Sequence, residues 1–203
     1  MYSDESIRGE WGLGALVEAV SKCRRCPLYK IRRKAVPGEG PTSTTIMLIG
    51  EAPGRREDEE GRPFIGPAGR ILDELLNQAG LSRGQVYISN VVKCIPLTAD
   101  GKVRTPNRLE IDACSPYLDA QMKIIHPRIV VTLGGTATKH VFEKLGIQAG
   151  DVSKVHGRVF QTRRFQVMPT YHPAACLYNP KLLVEMKRDF AALSKILSNS
   201  PAP

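Results

Sequence analysis

Two short segments of this chain carry residue types that can act on a ligand, and each follows an apolar run typical of a buried strand. The first is GEAPG at 50–54, and the second is HPAA at 172–175, which begins with His172. A Gly- and Pro-rich turn leaving a strand exposes backbone groups, and an imidazole can donate a hydrogen bond beside them. The two segments meet if their strands end at the same edge of one sheet.

Four of the five cysteines have the spacing of metal ligands. Cys23 and Cys26 form a Cys-x2-Cys pair, and Cys94 and Cys114 follow at longer intervals. Four thiolates can close a tetrahedral zinc site or hold an iron–sulfur cluster, and the spacing does not separate these two. The alternative, two core cysteines plus a coincidental pair, is disfavoured because the pair lies in a polar, basic segment. Cys176 is not expected to be a ligand.

Length and composition indicate one folded domain. The chain has 203 residues, of which 42% are hydrophobic and 24% are charged. This is enough for one core and short for two, so we expect a single domain over 1–203 with the Cys-x2-Cys segment packed on it and a frayed tail at 198–203. No apolar run reaches the roughly 20 residues of a membrane helix. The first residues lack a signal-peptide layout, so we expect a cytoplasmic protein without a membrane partner.

The net charge of +9 is large for this length. It favours polyanionic partners such as nucleic acids, although solubility alone also explains a charge excess. The basic residues cluster at 24–34, 163–164 and 187–188.

Apolar periodicity predicts alternating strands and helices. We predict strands at 46–49, 86–89, 129–133 and 165–168, and helices at 68–79, 107–125, 136–145 and 181–197. This alternation is typical of an α/β fold with a mostly parallel sheet covered on both faces, and ligands bind such sheets beyond the carboxyl ends of the strands. The GEAPG turn, Asn90, the Gly134-Gly135 pair and His172 all follow strands, so we expect them at one rim.

The chain resembles the family 4 uracil-DNA glycosylases, the iron–sulfur branch of the uracil-DNA glycosylase superfamily. The similarity runs from about residue 23 to 197, and its segments are specific in combination. They are CRRCPL at 23–28, GEAPG at 50–54 with Glu57 and Asp58, GRPFIG at 61–66, NVVKC at 90–94, Cys114, HPAA at 172–175, and Asn179 with Pro180.

This resemblance implies a fold, a cofactor and a reaction. The fold would be a three-layer α/β/α sandwich around a four-stranded, mostly parallel sheet. The four matching cysteines, Cys23, Cys26, Cys94 and Cys114, would hold a structural 4Fe–4S cluster. The reaction would be the hydrolysis of the bond between uracil and deoxyribose in single- or double-stranded DNA, which leaves an abasic site for base excision repair. We expect a monomer associated with the nucleoid.

The resemblance also assigns three residues to the extruded base. Phe64 would stack on uracil, Asn90 would accept from N3–H and donate to O4, and His172 would donate to O2 of the departing base. The alternative for Phe64 is a core aromatic, which its position between Gly61 and Gly66 on a predicted loop disfavours, and the alternative for Asn90 is a common turn residue.

The resemblance places Glu51, Ala52 and Pro53 along the pocket wall. Glu51 would position water or stabilise the positive sugar, against the alternative of a solvated loop carboxylate. Ala52 replaces the Asp or Asn with which other branches orient the attacking water, so the water-activating group is unassigned. Glu57 is a candidate for the wall that excludes the methyl group of thymine.

Two departures bear on activity. Cys176 stands where several relatives have the Leu that fills the gap left by the base, and Leu177 is the alternative. A crosslinking class carries a His in the loop that corresponds to 102–106, and this chain has none there, which argues against a damage-capturing relative. The remaining rival is a non-catalytic iron–sulfur or zinc DNA-binding module.

Overall fold

The computed structural model describes residues 12–148 and 150–198. Five strands form one sheet in the order β2-β1-β3-β5-β4. They are β1 (Ile46–Gly50), β2 (Tyr87–Asn90), β3 (Ile129–Leu133), β4 (Phe160–Gln161) and β5 (Gln166–Thr170). Four of them are parallel, and β4 pairs antiparallel with β5. The four predicted strands are therefore present, and the fifth has only two residues, too few to give a periodic pattern in the sequence.

Helices cover both faces of the sheet and make the α/β prediction correct. They are α1 (Leu13–Lys22), α2 (Arg55–Glu60), α3 (Pro67–Gln78), α4 (Arg108–Ile125), α5 (Gly135–Leu145), α6 (Val152–Val155) and α7 (Lys181–Ser198). Every residue of β1 is buried, because alternate side chains enter two cores. Met47 packs on the face of α1, α4 and α5, and Leu48 packs on the face of α3 and α7.

Local sequence signals fix where the main helices begin. Asn107 caps α4: its side chain accepts from the Glu110 N–H, and the Glu110 carboxylate accepts from the Asn107 N–H. Pro67 occupies the first turn of α3, where its missing N–H costs nothing. No helix in the described ranges has the length and apolar character needed to cross a bilayer.

The parallel strands bring the predicted segments to one edge. β1 ends at Gly50, β2 at Asn90 and β3 at Leu133, and His172 follows the end of β5 by two residues. Cys23 and Cys26 pack against the core that includes buried residues of α1, α4 and α5. The predicted tail beyond residue 198 lies outside the described residues.

Candidate active site

A cleft of about 690 Å³ opens at the carboxyl edge of the sheet. All six residues predicted from the sequence to contact a base line it: Glu51, Ala52, Pro53, Phe64, Asn90 and His172. The structure therefore brings together side chains that are up to about 120 positions apart in the chain.

Asn90 occupies the floor of the cleft at the end of β2. It is 1% exposed and lies opposite Gly50 in the parallel register. Its Oδ1 is the one buried side-chain nitrogen or oxygen in the described part of the chain that lacks a hydrogen-bond partner. Leaving such an acceptor unpaired costs about 1–3 kcal/mol, which a ligand N–H would recover. This orphaned oxygen marks the cleft as a site built for a donor.

Gly50 allows Asn90 and Phe64 to converge. A Cβ at Gly50 would lie 2.6 Å from the Phe64 Cζ and closer still to the Asn90 Oδ1. No larger residue fits there without moving the ring or the amide. Gly50, the first residue of the GEAPG turn, thus allows the side chains of Phe64 and Asn90 to pack close together.

Phe64 is both a core residue and part of the cleft lining. It is 5% exposed, packs in the α3 and α7 core, and has a left-handed backbone with φ of +51°. That conformation costs a non-glycine residue roughly 1–2 kcal/mol. Gly69 makes room for it, because a Cβ at Gly69 would overlap the Phe64 carbonyl.

Two charged side chains brace this strained turn. The Glu57 Oε1 accepts from the backbone N–H groups of residues 65 and 66, each at 2.9 Å. The Arg83 guanidinium donates to the carbonyls of Phe64 at 2.9 Å and Pro63 at 2.6 Å. Glu57 lines the cleft as expected, and its Oε1 is engaged by these amides.

His172 faces the Phe64 ring with centroids 5.6 Å apart and planes inclined by 32°. Its Nδ1 accepts from the Ala174 N–H at 3.2 Å, which leaves Nε2–H as the donor of the ring. Burial lowers the pKa of His172 to about 4, against a smaller opposing effect of the Glu57 charge. The imidazole is therefore neutral near pH 7.

Glu51 extends from the end of β1 toward the start of α5. Its Oε2 accepts from the Thr136 hydroxyl, and its backbone carbonyl accepts from the Val92 N–H at 3.0 Å. A carboxylate beside a helix N-terminus is favoured by the helix dipole. Glu51 is thus held at the cleft with its second oxygen, Oε1, free of protein donors within the described chain.

The four predicted ligand cysteines line a second, smaller cavity beside α1 and α4. Cys94 and Cys114 are buried, whereas Cys23 and Cys26 are partly exposed. Burial raises the pKa of Cys114 to about 12. Across 12–148 and 150–198, no three His, Cys, Asp or Glu side chains converge closely enough to share one metal ion.

One basic side chain and one backbone amide contact the cysteine sulfurs. The Arg32 guanidinium donates to the Cys94 Sγ at 3.0 Å and to the carbonyls of residues 21 and 23. The backbone N–H of Lys93 donates to the Cys114 Sγ at 3.2 Å. A guanidinium and a backbone N–H donor both stabilise thiolates, so the donor set fits a negatively charged metal–thiolate group.

Lys93 links the cysteine cavity to the floor of the cleft. Its side chain is completely buried, and its Nζ donates to the Asn90 carbonyl, the Ser89 hydroxyl and the Gln121 Oε1. Burial lowers its pKa to about 8. The ammonium therefore fixes the backbone that carries Asn90.

The structure separates the two candidates for filling the gap left by a base. Cys176 is 7% exposed and points into the core, where its Sγ lies 3.5 Å from the Met186 Sδ. Leu177 is 50% exposed on the rim of the cleft. Of the two, Leu177 is the one whose side chain is exposed at the cleft.

Sequence reasoning did not select Arg83 or Thr136. Thr136 follows the Gly134-Gly135 pair at the end of β3, and that position was a usable signal. Arg83 gives no local signal, because its partners lie 19 and 20 positions earlier.

Comparison with known proteins gives a consistent result. The family model described as "Uracil DNA glycosylase superfamily" matches residues 37–197. A protein of Sulfurisphaera tokodaii named type-4 uracil-DNA glycosylase is 46% identical, over 91% of this chain and 84% of that relative. A protein of the same name from Saccharolobus solfataricus is 44% identical, over 93% of this chain and 88% of that relative. Another from Thermotoga maritima is 42% identical, over 88% of each chain.

Proposed function

Because the chain belongs to the uracil DNA glycosylase superfamily, we propose that its cleft takes one uracil extruded from DNA and positions it for cleavage. The protein is a uracil-DNA glycosylase of DNA repair, a hydrolase of the bond between uracil and deoxyribose. A base within a duplex is out of reach, so the base must leave the stack to enter the cleft.

The unpaired Asn90 Oδ1 is the observation that carries this proposal. Uracil N3–H is a donor. When it donates a hydrogen bond to the buried Asn90 Oδ1, the penalty of leaving that oxygen unpaired is removed. The same amide turns its NH2 toward O4. Cytosine offers an unprotonated N3 and an amino group at these positions, so it leaves both ends of the amide mismatched. Phe64 supplies the stacking surface beside this amide.

His172 stabilises the departing base. As the bond to the sugar lengthens, negative charge develops on uracil, and a neutral imidazole with its proton on Nε2 donates to O2. A donor aligned in advance in a dry site typically contributes about 10²–10³-fold to a rate.

Glu51 acts on the deoxyribose, the other product of the bond cleavage. An oxocarbenium-like transition state carries positive charge, which a nearby carboxylate stabilises. Glu57 also lines the cleft, but it is buried and its carboxylate holds the turn after Phe64 through the amides of residues 65 and 66, and the side chain of Ala52 has no polar group. We therefore assign the stabilisation of the sugar and the positioning of water to Glu51, whereas Ala52 and Pro53 shape the wall.

Cys23, Cys26, Cys94 and Cys114 hold a 4Fe–4S cluster in this proposal. Their common cavity, the basic contacts to their sulfurs and the type-4 relatives support it. The cluster has a structural role, because it ties the N-terminal segment to the loop after Asn90. Purified protein should be brown, with about four iron atoms and four sulfides per chain. Stoichiometric zinc in a colourless protein would exclude the cluster and leave the glycosylase assignment standing.

The proposal extends to the whole chain. We propose a single domain over 1–203 that works as a monomer in the cytoplasm, on nucleoid DNA.

The test is the release of free uracil from oligonucleotides that carry U:G, U:A, T:G or single-stranded U. We expect release from the uracil substrates, none from T:G, and a rate about 10²–10³-fold lower for His172→Gln with little change in DNA affinity. If cluster-replete protein bound DNA but formed no alkali-labile sites, the non-catalytic binding module would be the correct assignment. Equal losses of rate and affinity in the variant would limit His172 to binding or folding.

A further inference from the structure

Exposed apolar side chains are concentrated at the mouth of the cleft. In the described ranges, seven large hydrophobic residues are exposed, and three of these line this one cleft. They are Val103 (50% exposed), Leu177 (50%) and Tyr178 (89%). Exposed single residues are ordinary, but a cluster at the entrance of a ligand site indicates a surface that a partner covers.

Tyr178 is the most exposed of the three, and it directly follows a hydrogen-bonded turn. It ends the 3₁₀ turn Pro173–Leu177, and its backbone N–H donates to the Ala175 carbonyl at 3.2 Å. Its ring and hydroxyl have no partner among the residues that the structure describes. The turn begins directly after His172, so the backbone that carries the ring has a fixed relation to His172.

Val103 reaches the same mouth from a different loop. It pairs with Leu97 in an isolated β-bridge, and the neighbouring Arg104 forms two hydrogen bonds to the Glu110 carboxylate at 2.8 and 2.6 Å. Arg55 donates to the Gly101 carbonyl in the same loop. The backbone at both positions is therefore held in place before any ligand binds.

We propose that Tyr178 is a duplex-specific DNA contact, whose ring stacks on the bases left without a neighbour when uracil leaves a double helix. This inference rests on the proposed function of the cleft. Val103 and Leu177 supply the apolar walls beside the ring. A flat, uncharged aromatic surface matches an exposed base face and does not discriminate between sequences.

The physical consequence is a difference between substrates. Extrusion from a duplex leaves a gap and an unpaired base in the opposite strand, and the ring restores the stacking that is lost. A single strand has no opposite base and no gap of fixed size. Tyr178 therefore lowers the cost of extrusion from a duplex and has little effect on single-stranded DNA.

The experiment compares kcat/KM for a U:A duplex and for the same strand alone, in the cluster-replete, full-length protein. Tyr178→Ala should lower the duplex value about 5- to 150-fold, because one base–aromatic stack is worth about 1–3 kcal/mol. The single-strand value should stay within about 2-fold, and Tyr178→Phe, which keeps the ring, should match the wild type on both substrates. Leu109→Ala is the matched control, since Leu109 is 79% exposed and lies outside the cleft.

A second readout is binding to a duplex that carries 2′-fluorodeoxyuridine, which resists hydrolysis, opposite 2-aminopurine. Stacking by Tyr178 should quench the fluorophore in the wild type and in Tyr178→Phe but not in Tyr178→Ala. Equal losses on duplex and single strand, or an unchanged duplex rate in Tyr178→Ala, would overturn the inference. If the wild type released uracil from neither substrate, the proposed function itself would fail, and the two failures are thus distinguishable.

Discussion

At the scale of single residues, the cleft combines an acceptor without a partner and a donor without a charge. The Asn90 Oδ1 is buried and unpaired, and His172 has its Nδ1 occupied by a backbone N–H. In the proposed function, the first feature selects a base with a proton at N3. The second provides a donor for an anion and avoids the cost of burying an imidazolium.

The charge state of His172 gives a prediction about stability and pH. Burial lowers its pKa in the folded protein to about 4, below the ordinary value near 6.5. As the pH falls from about 6.5 toward 4, the unfolded chain takes up a proton that the folded chain does not, so folding stability falls. His172→Gln removes this contribution and should reduce the loss of unfolding free energy between pH 7 and 5 by about 1–2 kcal/mol.

Urea unfolding at the two pH values measures this difference. His126→Gln is a suitable control, because His126 is exposed on the surface after α4. The same neutrality predicts that the glycosylase rate shows no ionisation of His172 between pH 5.5 and 8. An NMR titration with a midpoint above 6 for His172 would contradict both statements.

At the scale of elements, the turn that carries Phe64 is held from two sides. Glu57 on α2 accepts from the amides after Phe64, and Arg83, in a short turn before β2, donates to the carbonyls of Pro63 and Phe64. These charged hydrogen bonds offset the strain of the left-handed residue. The ring is thus positioned by three parts of the chain that are distant in sequence.

The hydrogen bonds from Arg83 to the turn predict that replacing Arg83 lowers activity only while the Phe64 ring is present. Arg83→Met should lower kcat/KM for uracil release by about 10-fold, because each charge-assisted hydrogen bond contributes about 1.5–3 kcal/mol and the ring is no longer held. In a Phe64→Ala background the same change should have almost no further effect, which a double-mutant cycle measures.

Arg62→Met is the matched control for Arg83→Met. Arg62 lies in the GRPFIG segment that carries Phe64, and its side chain is exposed. It pairs with Glu39 and does not contact the Phe64 carbonyl. Additive losses for Arg83→Met and Phe64→Ala would show that Arg83 acts on stability and not through the ring.

At the scale of the whole molecule, the chain carries a net charge of +9, which suits the proposed entry of one base from a polyanion into the cleft. Arg55 and Arg56 are exposed where α2 meets the cleft, next to the GEAPG turn. Basic side chains at such a rim bind flanking phosphates and hold the strand while the base is extruded.

Salt dependence tests this arrangement. Arg56→Gln should weaken binding to all DNA sequences and reduce the slope of log K against log salt by about one, because one phosphate contact is lost. Lys123→Gln should leave the slope unchanged, since Lys123 is near the end of α4 and lines a different groove. Equal changes in the two variants would mean that the net charge, and not the rim, governs binding.

Local patterns located the parallel strands and the four longest helices, but they missed α1, α2 and α6, and the roles of the residues at the strand ends came from the family resemblance. Apolar runs located the four parallel strands to within one or two residues, and the carboxyl-end rule placed GEAPG, Asn90 and His172 at one edge. The two-residue β4 was not predictable, because its pairing with β5 comes from a turn and not from a periodic run. The spacing of the cysteines suggested a shared site, and their common cavity agrees with it.

The amino-acid sequence by itself determined which residue types reach the rim, since strand direction and side-chain alternation are local properties. Tertiary structure alone decided what each residue does there. Arg83 braces Phe64, the Ala174 amide and burial keep His172 neutral, and Asn90 keeps an oxygen unpaired. Hydrogen-bond partners and desolvation depend on which distant segments pack together, and no spacing along the chain encodes them.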